Sequence, residues 1–245
     1  MKTPTTDDKG MRLNRYVAHA GICSRRKADE HIAAGEVQVN GEVVLQPGHR
    51  VQPDDEVRYR GEVISPQEDK VYLLMNKPKN TITTVKDERG RFTVIDLLKG
   101  EIPQRVYPVG RLDRMTTGLL LLTNDGELAQ KLSHPSYEVQ KVYYVHVDQP
   151  LTPEQLAEMR VGVELEDGFI KPDSVHFIKE KDGRDISVEI HSGRNRIVRR
   201  LFKHFGCHVR ALDRVWYAGL TKKALSRGRY RHLTGEEVRM LKHFV

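Results

Sequence analysis

The sequence predicts an α+β chain, a small α/β unit followed by a mixed, largely antiparallel sheet with flanking helices. Three observations lead there. Two short helical patterns and an Asn-Gly hairpin fill residues 11–60. Beyond them, strand and helix patterns follow one another without the regular alternation of a parallel α/β fold. Two capping boxes, at Thr152-Pro153-Glu154-Gln155 and at Thr234 with Glu237, set helices between and after those strands. A chain of 245 residues can bury a substantial core in one or two domains. There is no internal repeat and no low-complexity tract.

The elements follow in order. Residues 1–10, MKTPTTDDKG, lack an apolar core segment and read as a disordered tail, not a secretory signal. In residues 12–20, Leu13, Tyr16, Val17 and Ala20 recur at helical spacing, and Gly21 stops the helix. Ser24 caps a second helix that ends at Gly35. Residues 37–44 alternate around Asn40-Gly41, a hairpin signal, and residues 51–59 give a further strand. Residues 61–69 are polar, contain Pro66 and read as a linker to a domain spanning 70–245. There, residues 71–75 form a short apolar strand ending at Asn76-Lys77-Pro78, and Leu119 to Leu122 form a second. Asn124-Asp125-Gly126 leads into a short helix at 127–132, and residues 142–147 form another strand. The first capping box starts a helix running to Arg160. Two strands flank Asp182-Gly183, the second being 186–190. A helix is expected over 195–205, where Ile197, Val198, Leu201, Phe202 and Phe205 recur at helical spacing before Gly206, and a last helix closes the chain.

Composition narrows the function classes. No stretch approaches the roughly 20 apolar residues a membrane-spanning helix needs. Two cysteines far apart, Cys23 and Cys207, fit a reducing cytoplasm better than a disulfide framework. The net charge is +7, with a pI of about 9.3. Residues 184–232 hold thirteen Lys and Arg against three Asp and Glu, a local charge of +10. A basic field so concentrated is the footprint of a phosphate-backbone binder, although a solvated face has the same composition. Phosphate loops, dinucleotide-binding glycines, serine elbows and zinc-protease motifs are all absent. His204, Cys207 and His208 do not have the spacing of a closed four-ligand zinc site, so no metal is expected. Arg12, Arg15, Arg25, Arg26 and Lys27 surround the first helical pair; at a helix start, positive side chains oppose the dipole, so either a phosphate partner or simple solvation explains them.

The residues at 13–28, with Gly21, Ser24-Arg25-Arg26 and the Val39-Asn40-Gly41 hairpin, resemble the small RNA-binding module named after ribosomal protein S-four. The resemblance implies binding of structured RNA by residues 11–60. The stretch Gly110-Arg111-Leu112-Asp113, continued by Thr117-Gly118 and the four leucines to Asn124-Asp125-Gly126, resembles the catalytic motif of bacterial ribosomal RNA pseudouridine synthases. Lys141-Val142-Tyr143 is similar to that family's Lys-x-Tyr motif, and Gly193-Arg194-Asn195-Arg196 with Val198-Arg199-Arg200 to its basic motif. With Asn76-Lys77-Pro78, the resemblance covers nearly the whole chain. Asn80 stands where the family usually has glycine and Ile197 where it often has glutamine or glutamate.

The resemblance implies a cofactor-independent isomerase acting on ribosomal RNA or a pre-ribosomal particle. Asn195-Arg196 points to the large-subunit branches of the family, and the expected protein is a cytoplasmic monomer. Asp113 is then the reacting carboxylate, whether it attacks the sugar, attacks the base or abstracts a proton on the way to a glycal. The same resemblance implies that Arg194 is the partner of Asp113; a nearby arginine favours the ionised carboxylate. Tyr143, adjacent to Tyr144 on a strand and so facing the opposite way, is expected to stack on the extruded uracil. Arg111, Arg114, Arg196, Arg199 and Arg200 are expected on RNA, the last two on its backbone. Two rivals remain: a non-catalytic RNA-binding ribosome-assembly factor, and a hydrolase that releases uracil from nucleosides.

Overall fold

The structure, a computed structural model, describes residues 10–67, 69–178 and 182–243. Apart from Gly10, the expected tail lies outside the described residues. The chain divides into two compact units, Met1–Lys70 and Val71–Val245.

In the first unit, helices Leu13–His19 and Arg25–Ala33 bury Leu13, Val17, Ala28 and Ile32 against Val37, Val39, Val51 and Val57. Ser24 Oγ accepts a hydrogen bond from the Lys27 backbone N–H at 3.3 Å, which caps the second helix. Strands Val37–Val39 and Glu42–Val43 form the hairpin; Asn40 and Gly41 both take positive φ, 53° and 84°, as its two-residue turn requires. Residues 51–59 are not one strand. Arg50–Val51 pairs with Met11–Arg12, and Val57–Tyr59 joins the hairpin sheet. Between them Asp55 turns the chain, its carboxylate accepting from the Gln52 N–H at 2.7 Å and from Asn40 Nδ2 at 2.8 Å. Residues 61–69 do not form a simple linker either. Glu62–Ile64 is the outer strand of the same sheet, and the Tyr16 hydroxyl donates to Ile64 O at 3.2 Å. At three residues this edge strand is too short to show an alternating pattern, which is why it reads as part of a connector.

Among the described residues, the second unit is built on a nine-stranded sheet. Its main path runs Ser174–Phe177, Asp185–Ile190, Lys141–Val147, Val209–Tyr217, Thr117–Thr123, Tyr72–Lys77, Tyr230–His232. Every pairing between these strands is antiparallel except that of Val209–Tyr217 with Thr117–Thr123, which is parallel. The four leucines are buried on both faces: Leu119 and Leu121 pack with Leu128, Leu132 and Tyr217, and Leu120 and Leu122 with Leu73, Met75 and Leu98. This two-sided burial is what a continuous apolar run records.

Three helices flank the sheet as their signals predict. Gly126–Ser133 is capped by Asp125. Pro153–Val161 carries the full capping box, with Gln155 N–H to Thr152 Oγ1 at 3.2 Å and Thr152 N–H to Gln155 Oε1 at 3.0 Å. Gly235–His243 has the same reciprocal pair between Thr234 and Glu237. The basic-motif helix, Ile197–His204, begins two residues later than its periodicity predicts, because Arg196 takes a left-handed φ of 49°. The apolar strand at 71–75 is likewise longer, since Tyr72–Lys77 carries the buried Asn76 and Lys77 inside the sheet.

One glycine makes the parallel pairing possible. Gly118 has φ +105°, and a Cβ there would lie 2.2 Å from Arg214 O and 2.5 Å from Arg214 N. Backbone fills the space that any side chain would need. Gly118→Ala is expected to cost about 3 kcal/mol or more. That lowers the midpoint of a calorimetric melt by roughly 6 °C or more for a domain of this size; a midpoint within about 2 °C of the parent would show that the strands can part.

Candidate active site

Asp113 sits on the loop that feeds the leucine strand, and its backbone neighbours are tied down. Leu112 is buried, and its carbonyl accepts from Thr83 Oγ1 at 2.8 Å while its N–H donates to that same hydroxyl at 3.3 Å. On the other side, Lys77 Nζ donates to Pro78 O at 3.0 Å, Arg114 O at 3.3 Å and Thr116 O at 2.8 Å. Lys77 is fully buried, so these carbonyls stand in for its lost hydration. Burial still pushes its pKa down to about 8, against the opposing pull of Asp113. The outcome is a tethered turn from which the Asp113 side chain, 42% exposed, reaches outward between exposed Arg111 and Arg114.

A single pocket joins Asp113, Tyr143, Arg194, Arg196 and Arg199. Tyr143 and Tyr144 face opposite ways: Tyr143 lines the pocket, whereas the Tyr144 hydroxyl donates to Asp185 Oδ1 at 2.6 Å. The partner of Asp113 differs from the sequence expectation. Arg196 Nε and Arg199 Nε each stand 3.7 Å from Asp113 Oδ2. Arg194 instead donates to Asp167 O at 2.8 Å, Gly168 O at 3.1 Å and Phe169 O at 3.1 Å, and its guanidinium pairs with the Asp167 carboxylate at 3.3 Å. The reason is geometric. The hairpin Val163–Leu165/Gly168–Ile170, which sequence patterning does not reveal, turns its carbonyls toward Arg194, and a planar fork of donors fits them.

Arg200, expected on RNA backbone, is engaged within the fold, with Nη2 on Asp167 Oδ2 at 2.8 Å and Nε on Asn195 O at 2.9 Å. Arg199, also expected on RNA backbone, is half-buried, donates Nη1 to Val209 O at 3.0 Å and faces Asp113. Its pKa is lowered by burial, an effect that Asp113 opposes. Arg111 and Arg114 are exposed; Arg111 lines the pocket, and Arg114 reaches Asn80 Oδ1 at 3.4 Å. Asn80 takes φ +60°, supplying the left-handed turn usually made by glycine, and Ile197 is buried in the core. In the first unit Arg12, Arg25, Arg26 and Lys27 are exposed around the helical pair and Arg15 is half-buried; Lys27 pairs with Glu30. Among the described residues no group of three His, Cys, Asp or Glu is placed to hold a metal ion, and no helix is long and apolar enough to cross a membrane.

Residues 71–204 match the RNA pseudouridylate synthase family, and residues 11–57 match the S4 domain. The chain belongs to the RNA pseudouridylate synthase family. This synthase is 44% identical over 234 residues to Ribosomal large subunit pseudouridine synthase B of Bacillus subtilis (strain 168), covering 94% of this chain and 95% of the relative. It is 35% identical over 233 residues to Dual-specificity RNA pseudouridine synthase RluF of Escherichia coli (strain K12), covering 94% of this chain and 78% of that one. A solved pseudouridylate synthase superposes with a TM-score of 0.68 at 27% identity, covering 95% of this chain and all of the other. The synthase thus presents its aspartate between two arginines of the basic-motif segment, beside an aromatic ring on the sheet.

Two expectations follow. Arg199→Ala is expected to lower the turnover rate by about 100-fold or more, because it strips the half-buried cation from Asp113. Arg194→Ala is expected to cost about 1.5–3 kcal/mol of stability through its lost charge-assisted bonds and to slow turnover by less than about 10-fold. Equal rate losses would return Arg194 to the aspartate. The second concerns pH. Lys77 has a folded-state pKa below its ordinary 10.5, so the unfolded chain holds the extra proton between about 8 and 10.5. Folding stability therefore gains from this group as pH rises through that window, and its burial cost is fully present below about 8. In urea titrations at a series of pH values, the parent should gain stability relative to Lys77→Met across that window and not below it.

Proposed function

We propose that this synthase isomerises specific uridines of ribosomal RNA to pseudouridine with Asp113 as the reacting carboxylate and Tyr143 as the platform for the extruded base. Uridine isomerisation in ribosomal RNA follows from the family and from relatives that match over most of the chain. The observation that carries the chemistry is the placement of Asp113 between Arg196 and Arg199 in the pocket that Tyr143 lines. Two guanidinium groups, each 3.7 Å from Asp113 Oδ2, stand at the carboxylate on the pocket side. The ring beside it can recover part of the few kcal/mol spent on unstacking the target, about 1–3 kcal/mol per stacked base.

Large-subunit RNA is the substrate favoured by the 44% identical relative, whose name specifies that subunit. The S4 unit, with its exposed basic residues, supports docking on structured RNA in the naked form or in a pre-ribosomal particle, and the working location is the cytoplasm. Isomerisation gains and loses no electrons, so no redox partner is required. A pure assembly factor would have no use for a tethered aspartate beside a pocket aromatic, and a nucleoside hydrolase would have no use for an RNA-binding unit.

The test uses unmodified ribosomal RNA tritiated at carbon five of uridine. The parent protein should release tritium while the base stays on the chain; free uracil would indicate hydrolysis, and no release would indicate a binding factor. Asp113→Asn should bind the RNA and lose release by about 10⁴-fold or more. An active Asp113→Asn protein would sink the assignment.

A further inference from the structure

The active-site pocket contains a second charged pair that the chemistry at Asp113 leaves unused. Arg214 and Lys141 line the same pocket as Asp113 and Tyr143. On the sheet, Tyr143 stands opposite Arg214 and Lys141 opposite Tyr217. Lys141 and Tyr143 are two residues apart on one strand and therefore share a face. Arg214 is 3% exposed. Its Nε donates to Leu119 O at 2.7 Å and its guanidinium lies 4.4 Å from the centre of the Tyr217 ring, but its buried Nη2 has no hydrogen-bond partner. Lys141 Nζ donates to His191 O at 2.6 Å. Burial, and then the charge of Arg214, push the lysine pKa down to about 8, with Asp173 pulling the other way.

Charge balance makes this pair informative. Six cationic side chains line the pocket and Asp113 is its one carboxylate, already flanked by Arg196 and Arg199. Asp213, the neighbour of Arg214 on the strand, is engaged with Lys222, Arg227 and Thr117. A buried arginine with an unused donor beside a depressed lysine is costly unless an anion arrives. Phosphates stay on the RNA backbone, whereas this pair is set in the sheet next to the ring on which the base would stack.

We infer that Arg214 and Lys141 form the receptor for the negative charge that uracil carries when its bond to the sugar is broken. This rests on the isomerase reading above. When the C1′–N1 bond breaks, its electron pair stays with the base, and the charge spreads over N1, O2 and O4. Asp113 answers the electron deficiency of the sugar, by bonding or by taking a proton. The anion turns, carbon five supplies the pair for the new bond to C1′, the proton on carbon five leaves to a base, and N1 ends protonated. No atom or electron is gained overall. The pair would act while the base is detached, preorganised donors being most effective where charge develops in a dry site. It would also hold the base against escape, which separates an isomerase from a hydrolase.

The experiment compares single-turnover conversion of two RNAs, one with uridine and one with 5-fluorouridine at the target position. The fluorinated base is more acidic and leaves more readily, so it needs less help; because carbon five carries fluorine and no proton, its conversion is read as loss of the starting nucleoside when the sugar bond passes from N1 to carbon five. Parent protein must convert the uridine RNA; if it does not, the isomerase reading fails and the anion receptor is not what was at fault. With Arg214→Met, the uridine rate is expected to fall about 100-fold and the 5-fluorouridine rate about 10-fold or less, with RNA affinity within about threefold of the parent. Arg214→Lys should recover part of the uridine rate, and Lys141→Met should show the same selective loss, which keeps the test available if Arg214→Met does not fold. Equal losses on the two RNAs would overturn the proposal in favour of a packing role, and weakened RNA binding with an unchanged rate would overturn it in favour of a phosphate contact.

Discussion

The close contact of two backbones at Gly118 organises the catalytic unit. Because Gly118 has no side chain, Thr117–Thr123 can lie parallel against Val209–Tyr217 with Arg214 O and N inside the space of a Cβ. That pairing brings the Asp113 loop, which enters the first strand, to the same end of the sheet as Arg214 and, one strand further, Tyr143. An antiparallel ladder could have placed these strands side by side, but it would have sent the aspartate loop to the opposite end. Catalytic geometry here is a consequence of strand direction, and strand direction depends on one residue without a side chain.

Around this frame, buried cations take the place that apolar packing has in an ordinary core. Lys77 fastens the Asp113 loop through three carbonyls, Arg214 fastens Leu119, and Arg194 fastens a hairpin through three more. Each exchanges water for backbone oxygens; Lys77 and Arg214 keep their positive charge, whereas that of Arg194 is balanced by Asp167. The site thereby acquires rigidity and positive potential from the same side chains. This suits a reaction whose substrate is a polyanion.

Much of this was legible in the residues. The leucine run, the Asn40-Gly41 turn and both capping boxes declare themselves through local chemistry, and the structure follows them closely. Asp113 stands out as a carboxylate among arginines at the mouth of a buried strand. What sequence reading missed is what depends on distant partners. Val209–Tyr217 is a central strand, yet Arg210, Asp213 and Arg214 interrupt its apolar pattern, because each of those charges has a specific task in the sheet or beside it. The choice between Arg194 and Arg199 as the aspartate's neighbour turns on a hairpin whose short strands carry no strong periodicity. Lys77 could have been noticed, since a lysine inside an apolar strand and before a proline needs a buried reason.

The Asp167 carboxylate, which holds Arg194 and Arg200 together, also changes how the protein should meet salt. A cation already neutralised within the fold displaces no condensed counterion from RNA. Arg231 with Glu237, and Lys222 and Arg227 with Asp213, are spent in the same way. The ionic-strength dependence of RNA binding, roughly 0.7 to 0.9 logarithmic units per phosphate contacted, is therefore governed by the few basic groups left open. The salt dependence of RNA binding should therefore be shallower than the number of lysines and arginines in the catalytic unit suggests.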